Sequence, residues 1–236
     1  MDKKLKNAQK LFLKAFTEET SLFALAGGTA LELYYLKHRF SVDLDFFSPC
    51  YDAKEIDKII SFAQKSFDSK IILENELNVA GKARVRFYTV DIKEINRPLK
   101  IDFVEDVFLE KPVIKKINKV PVYSVEDIYR QKIIAISGIT PQLDEIGREF
   151  IIGRRKTRDI FDIYELSKKV KPLSEFLKNM PQNFQRGMVH WYRTFPRKEF
   201  KLDFLDLDIY NKRIDSKEVI IYLEDQIKNF IADEIE

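Results

Sequence analysis

Two aspartates, Asp43 and Asp45, stand two positions apart within residues 41–47, whose alternating pattern predicts a β-strand. Side chains two apart on a strand leave the same face, with Cβ atoms roughly 6 to 7 Å apart. That separation suits carboxylates that share a pair of metal ions about 3.5 to 4 Å apart. An isolated Asp-x-Asp pair is more often the solvated face of a strand, so a metal site needs further support.

Two other features support a metal site and indicate that it acts on phosphate groups. Gly27 and Gly28 precede Thr29 at the predicted start of a helix, where a bare backbone and unpaired N–H groups favour phosphate. Asp102 lies between two apolar residues of another predicted strand, and a carboxylate there is costly to bury unless it is paired or metal-bound. The alternatives are an ordinary turn at the glycines and a solvated strand face at Asp102.

The composition limits which metal site the chain can build. Its 236 residues contain one cysteine, Cys50, and two histidines, His38 and His190. An internal disulfide and a Cys/His zinc site are therefore excluded, and any metal must be held by carboxylates. The 45% apolar content excludes a structureless chain, and a net charge of +3 does not by itself indicate a nucleic-acid partner.

Neither a membrane span nor a signal peptide is expected. No run approaches the roughly 18 consecutive apolar residues of a spanning helix. The first residues lead directly into an amphipathic segment instead of a signal-peptide core. We therefore expect a cytoplasmic protein.

The hydrophobic pattern divides the chain into an N-terminal α+β domain, residues 1–123, and a helical domain, residues 124–236. Ser124 is the predicted N-cap of the first helix of the second domain, with Asp127 three residues later. Helices are predicted at 5–18, 29–38, 53–67, 125–137, 158–168, 172–179 and 217–232, and strands at 22–26 (or a helix end), 41–47, 84–90, 99–104 and 121–123.

Residues 25–31 (LAGGTAL) and 39–46 (RFSVDLDF) resemble the signature of the AbiEii-type nucleotidyltransferase toxins. These toxins belong to the superfamily of DNA polymerase β-like nucleotidyltransferases. The similarity extends over residues 22–166, through a third aspartate, a helical lysine (Lys132) and a basic-Asp-x-x-Asp helix that begins at Lys156. The family more often has arginine at the position of Lys156. Lysine keeps the positive charge but lacks the planar guanidinium that binds a phosphate through two hydrogen bonds. The resemblance implies a mixed-sheet catalytic domain followed by a mainly helical region that completes the active site.

The resemblance also implies roles for individual residues. Three aspartates, Asp43, Asp45 and Asp102, would hold two Mg²⁺ ions, with Mn²⁺ as an alternative. Lys132 would supply positive charge to the β- and γ-phosphates of an NTP, and Asp159 would orient Lys132 or contact the nucleotide. The implied nucleotide-binding residues are Gly27, Gly28, Thr29, Arg39, Ser41, Lys132 and Arg158.

The residues on predicted helices also have purely structural interpretations. Lys132 is also compatible with a solvated helix lysine. Asp159 and Asp162 share one helix face, and surface ion pairs with neighbouring arginines are the alternative for Asp159 and the favoured interpretation for Asp162.

A basic and aromatic segment, residues 178–201, follows the region of resemblance and carries six basic residues against one acidic residue. Such a composition is typical of an RNA surface, where bases stack on aromatic rings and cations neutralise phosphates. The predicted acceptor-binding residues are Arg186, Trp191, Tyr192, Arg193 and Arg197. The alternative, slightly favoured, is an ordinary helix pair with its aromatic residues in the core.

Three functions follow, in order of preference. The first is a Mg²⁺-dependent transfer of a nucleoside monophosphate from an NTP to an RNA acceptor. The resemblance implies a tRNA 3′ end as the acceptor and a toxin of a toxin–antitoxin or phage-defence system, opposed by a separately encoded antitoxin. The second keeps the chemistry and modifies a protein or a small molecule. The third is a non-catalytic nucleotide- or RNA-binding module.

Overall fold

The computed structural model of the protein describes residues 3–18, 21–138, 141–143, 146–147, 149–151 and 153–233. The chain divides into two units. The sheet unit comprises Met1–Tyr35 and Phe40–Asp127, and the helical unit comprises Leu36–Arg39 and Ile128–Glu236.

A mixed seven-stranded sheet forms the centre of the sheet unit, in the order β3-β4-β5-β2-β1-β7-β6. Its strands are antiparallel except for two parallel pairs, β1 with β7 and β2 with β5. The strands are β1 Ala24–Ala26, β2 Leu44–Ser48, β3 Ile71–Leu77, β4 Val85–Val90, β5 Leu99–Glu105, β6 Ile114–Ile117 and β7 Val120–Tyr123. The helices of this unit are α1 Lys3–Phe16, α2 Gly27–Ala30 and α3 Ala53–Gln64, and residues Leu31–Leu36 continue α2 as a π-helix.

Aromatic side chains build the core on one face of this sheet. Phe46 of β2 and Phe103 of β5 lie opposite each other in the parallel register and are fully buried. The ring of Phe46 also lies 5.7 Å from that of Phe12 and 4.4 Å from that of Phe16, both on the apolar face of α1. Because side chains alternate along a strand, the residues next to Phe46 on β2 and next to Phe103 on β5 point to the other face of the sheet.

Among the residues described, the helical unit contains six helices and one antiparallel pair of short strands. Its first helix, α4, begins in the sheet unit, where the predicted cap is confirmed: the backbone N–H of Asp127 donates to Ser124 Oγ (3.1 Å), and Ser124 Oγ donates to Asp127 Oδ2 (2.9 Å). The elements are α4 Val125–Ser137, β8 Pro141–Leu143, β9 Glu149–Ile151, α5 Thr157–Lys169, α6 Leu173–Leu177, α7 Gln182–Thr194, α8 Arg197–Leu205 and α9 Ser216–Asp233.

The segment Leu36–Arg39 belongs to the helical unit although it lies far from that unit in sequence. The backbone N–H of Tyr210 donates to the carbonyl oxygen of His38 (2.9 Å), and Arg39 forms a β-bridge with Ile209. The ring of His38 stacks on that of Phe161 at 5.7 Å. These contacts place residues just upstream of Asp43 inside the helical unit, which local periodicity did not predict.

Candidate functional site

Asp45 of β2 and Asp102 of β5 lie side by side on the same face of the sheet. They are direct partners in the parallel register, between the buried pairs of Leu44 with Ile101 and Phe46 with Phe103. Both aspartates are partly exposed. Neighbouring strands are about 4.8 Å apart, so this register brings together two carboxylates that are 57 residues apart in sequence. Asp43 precedes the first residue of β2, so strand alternation does not determine its direction.

Gly27 packs directly against the Asp45 carboxylate. Its backbone is left-handed, with φ of +65°, and a Cβ built there would lie 2.4 Å from Asp45 Oδ2. Ala26 is the register partner of Asp45 on the antiparallel strand β1, which delivers the glycine to this position. Only glycine satisfies both the backbone conformation and the close approach.

Hydrogen bonds to the backbone hold the segment that leads into β2. The hydroxyl of the fully buried Thr29 donates to the carbonyl oxygen of Asp43. The backbone N–H of Ser41 donates to Glu32 Oε2 (2.8 Å), and its carbonyl oxygen accepts from Gln9 Nε2 (2.9 Å). The structure thus gives the Thr29 hydroxyl a positioning contact, and its contact with a triphosphate stays a prediction. Sequence reasoning missed Glu32, an acidic side chain that is almost completely buried.

The paired carboxylates of this face, Asp45 and Asp102, are candidate ligands for a magnesium ion. No group of three or more acidic, histidine or cysteine side chains converges into a complete metal site among the residues described. Mg²⁺ usually binds through one or two carboxylates, with water and substrate phosphates as the remaining ligands. The paired Asp45 and Asp102 are two carboxylates of this kind, and Asp43 lies next to β2 in sequence.

The helical unit contains a buried charge network centred on two aspartates of α5. Lys132 Nζ lies 2.5 Å from Asp159 Oδ1 and 2.8 Å from Asp162 Oδ2. Arg39 donates to Asp162 through Nε (2.6 Å) and Nη2 (2.8 Å), and His38 Nε2 lies 2.7 Å from Asp162 Oδ1. All five residues are less than a tenth exposed. The surface ion pair favoured for Asp162 is therefore wrong, because this residue faces the core and bonds two side chains from the segment Leu36–Arg39.

Mutual ion pairing keeps this network charged. Burial alone would lower the pKa of Lys132, but Asp159 and Asp162 raise it above its ordinary value. Burial would raise the pKa of Asp162, whereas Arg39 and Lys132 hold it well below the usual range. Burial would raise the pKa of Asp159, but Lys132 and Arg154 together lower it below its ordinary value.

This network bears on two predicted site residues, Arg39 for nucleotide binding and Asp159 for orienting Lys132 or contacting the nucleotide. The Arg39 guanidinium grips Asp162 with two hydrogen bonds, which supports a positioning role, and nucleotide contact by Arg39 stays a prediction. Asp159 lies where an orienting partner of Lys132 must lie. Arg158 is partly exposed on α5.

The predicted acceptor-binding residues separate into buried and exposed groups. Trp191 is only 7% exposed and packs on Phe195 with ring centroids 4.8 Å apart, so the prediction that it presents a surface for base stacking is wrong. The reason is helical spacing, because Trp191 shares the core face of α7 with Phe184, Gly187 and Met188. Arg197 binds Glu224 (2.6 Å) and lies over the partly exposed ring of Tyr192. Arg186 and Arg193 are exposed.

None of the described helices combines the length and the apolar composition that crossing a membrane requires.

Comparison with known proteins identifies the family. A family model described as "Nucleotidyl transferase AbiEii toxin, Type IV TA system" matches residues 11–228. A search of curated proteins found no match. A crystal structure described as a "putative nucleotidyltransferase" from Helicobacter pylori has a TM-score of 0.60 at 18% identity, over 100% of this chain and 99% of that one. The structure of JHP933 from Helicobacter pylori has a TM-score of 0.57 at 19% identity, over 99% and 94% of the two chains.

The two crystal structures show that the α+β fold of this chain is one found in solved structures, and the family model covers nearly the whole sequence. The chain therefore belongs to the AbiEii nucleotidyltransferase toxin family, and it is a nucleotidyltransferase.

Proposed function

We propose that this nucleotidyltransferase uses Mg²⁺ to transfer a nucleoside monophosphate from an NTP to an RNA acceptor, namely the 3′ end of tRNA. The observation that carries the proposal is the pairing of Asp45 with Asp102 beside Gly27, whose missing side chain lets the backbone lie directly against the Asp45 carboxylate. The family membership favours catalysis over a non-catalytic binding module. As a member of a toxin family, the enzyme would act in phage defence and be opposed by an antitoxin.

In this reaction an acceptor hydroxyl oxygen bonds to the α-phosphorus of the NTP while the bond from that phosphorus to the bridging oxygen of the β-phosphate breaks. The hydroxyl proton passes to solvent and pyrophosphate leaves. Bound Mg²⁺ would activate the hydroxyl and neutralise charge on the phosphates. Asp43, Asp45 and Asp102 would hold the metal, and the backbone at Gly27 and Gly28 would admit the triphosphate.

The residues around this face would fix its geometry. Thr29 holds the Asp43 carbonyl oxygen, and Glu32 and Gln9 hold the backbone of Ser41, so the segment entering β2 is anchored on both sides. In the helical unit, the network would keep Lys132 protonated and fix its side chain. The charge that the family resemblance implies for Lys132 toward the phosphates is compatible with this protonation state and stays a prediction.

The test is a labelling reaction with purified protein, Mg²⁺, total RNA and total protein. Each of the four α-labelled NTPs is supplied separately, and the labelled product is treated with ribonuclease or protease. We expect wild type to label RNA and the Asp43→Ala/Asp45→Ala variant to label nothing. Sequencing of labelled 3′ ends then identifies the acceptor. Label that resists ribonuclease and is released by protease would replace the RNA acceptor by a protein, and equal labelling by the variant would refute the catalytic assignment.

A further inference from the structure

A groove of 410 Å³ lies between α7 and α9, within the helical unit. We call it the α7–α9 groove. One wall consists of polar and basic side chains of α7 with Val189, and the other consists of apolar side chains of α9. The lining of the groove includes Gln182, Arg186, His190, Arg193, Phe230 and Ile231.

The arginines of this groove differ from most others in the chain. In the part of the structure that is described, Arg186 and Arg193 have neither an ion-pair nor a hydrogen-bond partner for their guanidinium groups. By contrast, Arg197 at the start of α8 binds Glu224, and Lys178 binds Asp233. Among the residues that the structure describes, no acidic side chain lines the groove. Two exposed guanidinium groups beside a concave surface without carboxylates favour a negatively charged ligand.

The spacing of the polar side chains indicates the shape of that ligand. Arg186, His190 and Arg193 follow one another at intervals of four and three residues, so they share one face of α7. Arg186 and Arg193 are two helical turns apart, which is about 10.5 Å along the axis. Gln182 extends the same row by one more turn. A row of this length suits successive phosphates of one strand better than a single phosphate group.

The apolar wall offers no contact that distinguishes one base from another. Its residue Phe230 is only 3% exposed, so the ring presents no face for a base to stack on. The polar wall offers guanidinium, imidazole and amide donors, which suit phosphate oxygens and sugar hydroxyls. The contacts available are therefore those of backbone binding without sequence readout.

We infer that the α7–α9 groove binds the phosphate backbone of the RNA acceptor, with Arg186 and Arg193 neutralising two of its phosphates. The inference rests on the proposed function for the class of acceptor. It replaces the aromatic stacking expected of Trp191 by electrostatic backbone binding.

The test measures the binding of fluorescently labelled total tRNA at several salt concentrations by anisotropy. The groove variant is Arg186→Gln/Arg193→Gln. The matched control, Lys198→Gln/Lys201→Gln, removes the same charge from exposed positions of α8. We expect the groove variant to bind about tenfold more weakly at low salt and to lose about 1.4 to 1.8 from the slope of log K against log salt, whereas the control stays within about twofold of wild type. Circular dichroism melting verifies that both variants fold.

An unchanged affinity and slope in the groove variant would overturn the inference and leave the groove to an acidic protein partner. An equal loss in both variants would also overturn it, since the effect would then reflect total charge.

Transfer assays run in parallel separate this inference from the proposed function. If wild type binds tRNA through the groove but labels no RNA, the proposed acceptor is wrong and the groove assignment survives. If wild type labels RNA and the groove variant labels it equally at subsaturating tRNA, the groove assignment is wrong and the proposed function survives.

Discussion

The aspartate pair of the sheet unit and the charge network of the helical unit lie in opposite environments. In the sheet unit, Asp45 and Asp102 are partly exposed neighbours on one face of the sheet. In the helical unit, Lys132, Asp159 and Asp162 are buried and bonded to one another.

The difference separates two uses of charge. A buried ion must be paired, because desolvation costs several kcal/mol, so the network of the helical unit is committed to its own partners. Asp45 and Asp102 are partly exposed, so solvent reaches them. We therefore expect substitutions in the network to act mainly on stability, and substitutions around Asp45 to act mainly on transfer.

The largest effect on stability is expected from Asp162→Ala. The substitution leaves Arg39 and Lys132 buried with one anionic partner fewer, which should lower the free energy of unfolding by about 3 to 5 kcal/mol. Denaturant unfolding followed by circular dichroism measures the change. Asp225→Ala, at an exposed position of α9, is the control and should stay within about 0.5 kcal/mol of wild type. A loss below about 1 kcal/mol at Asp162 would contradict the role assigned to the network.

The second prediction tests the close contact between Gly27 and the Asp45 carboxylate. Gly27→Ala should cost about 1 to 2 kcal/mol of stability because of its left-handed backbone. The new Cβ should also displace the Asp45 carboxylate, and a shift of about 1 Å can lower transfer about a hundredfold.

Gly81→Ala is a matched control for this backbone effect. Gly81 has φ of +76°, and a Cβ there meets no atom within 4 Å. It should show a similar loss of stability with unchanged transfer. Equal transfer rates in the two variants would show that the contact between Gly27 and Asp45 does not matter for activity.

The pH dependence of stability should reveal the network. The pKa of Asp162 in the folded chain lies below the unfolded value of about 3.9, so its stabilisation is complete above about pH 5 and is lost as pH falls through the folded pKa. The raised pKa of Lys132 makes its contribution complete below about pH 10 and lost as pH rises further. The stability difference between wild type and Asp162→Asn should therefore be flat from about pH 5 to 9 and shrink below about pH 4. A difference that grows on acidification would contradict this assignment.

The smallest effect is expected at an ion pair of the sheet unit. Arg84 binds Glu105 at 2.7 Å, with the arginine side chain 40% exposed. Exposed pairs contribute less than about 1 kcal/mol, so Glu105→Gln should change the free energy of unfolding by no more than that. The change should shrink in 1 M salt, where screening is strong. A cost comparable to that of Asp162→Ala would remove the distinction between the two units.

Local pattern predicted most of the regular elements, because helices such as α5 and buried strands such as β5 carry their burial pattern in consecutive residues. It missed the edge strands β3 and β6. All but the first residue of β3 are exposed, and β6 has only four residues, so neither shows the alternation of a half-buried strand. Their pairing depends on neighbouring strands, which a local pattern does not specify.

The candidate site likewise contains residues that the sequence indicated and contacts that only the folded chain forms. Spacing and family resemblance indicated Asp45, Asp102 and the glycines, and the strand register brings the two aspartates together. His38 and Asp162 were missed as interacting residues because they are 124 positions apart and meet only in the folded chain. The available signal was the histidine and the arginine at residues 38 and 39, shortly after the apolar residues 33–36.

The most direct test of the proposed metal-binding carboxylates is the single-turnover rate of transfer by Asp45→Asn, which removes one negative charge and preserves the shape of the side chain. With saturating Mg²⁺ and NTP, we expect a loss of about a thousandfold or more, because metal-held charge stabilisation is worth several kcal/mol in the transition state. The free energy of unfolding should be unchanged or higher. A rate within tenfold of wild type in the folded variant would contradict the assignment of Asp45 as a metal ligand.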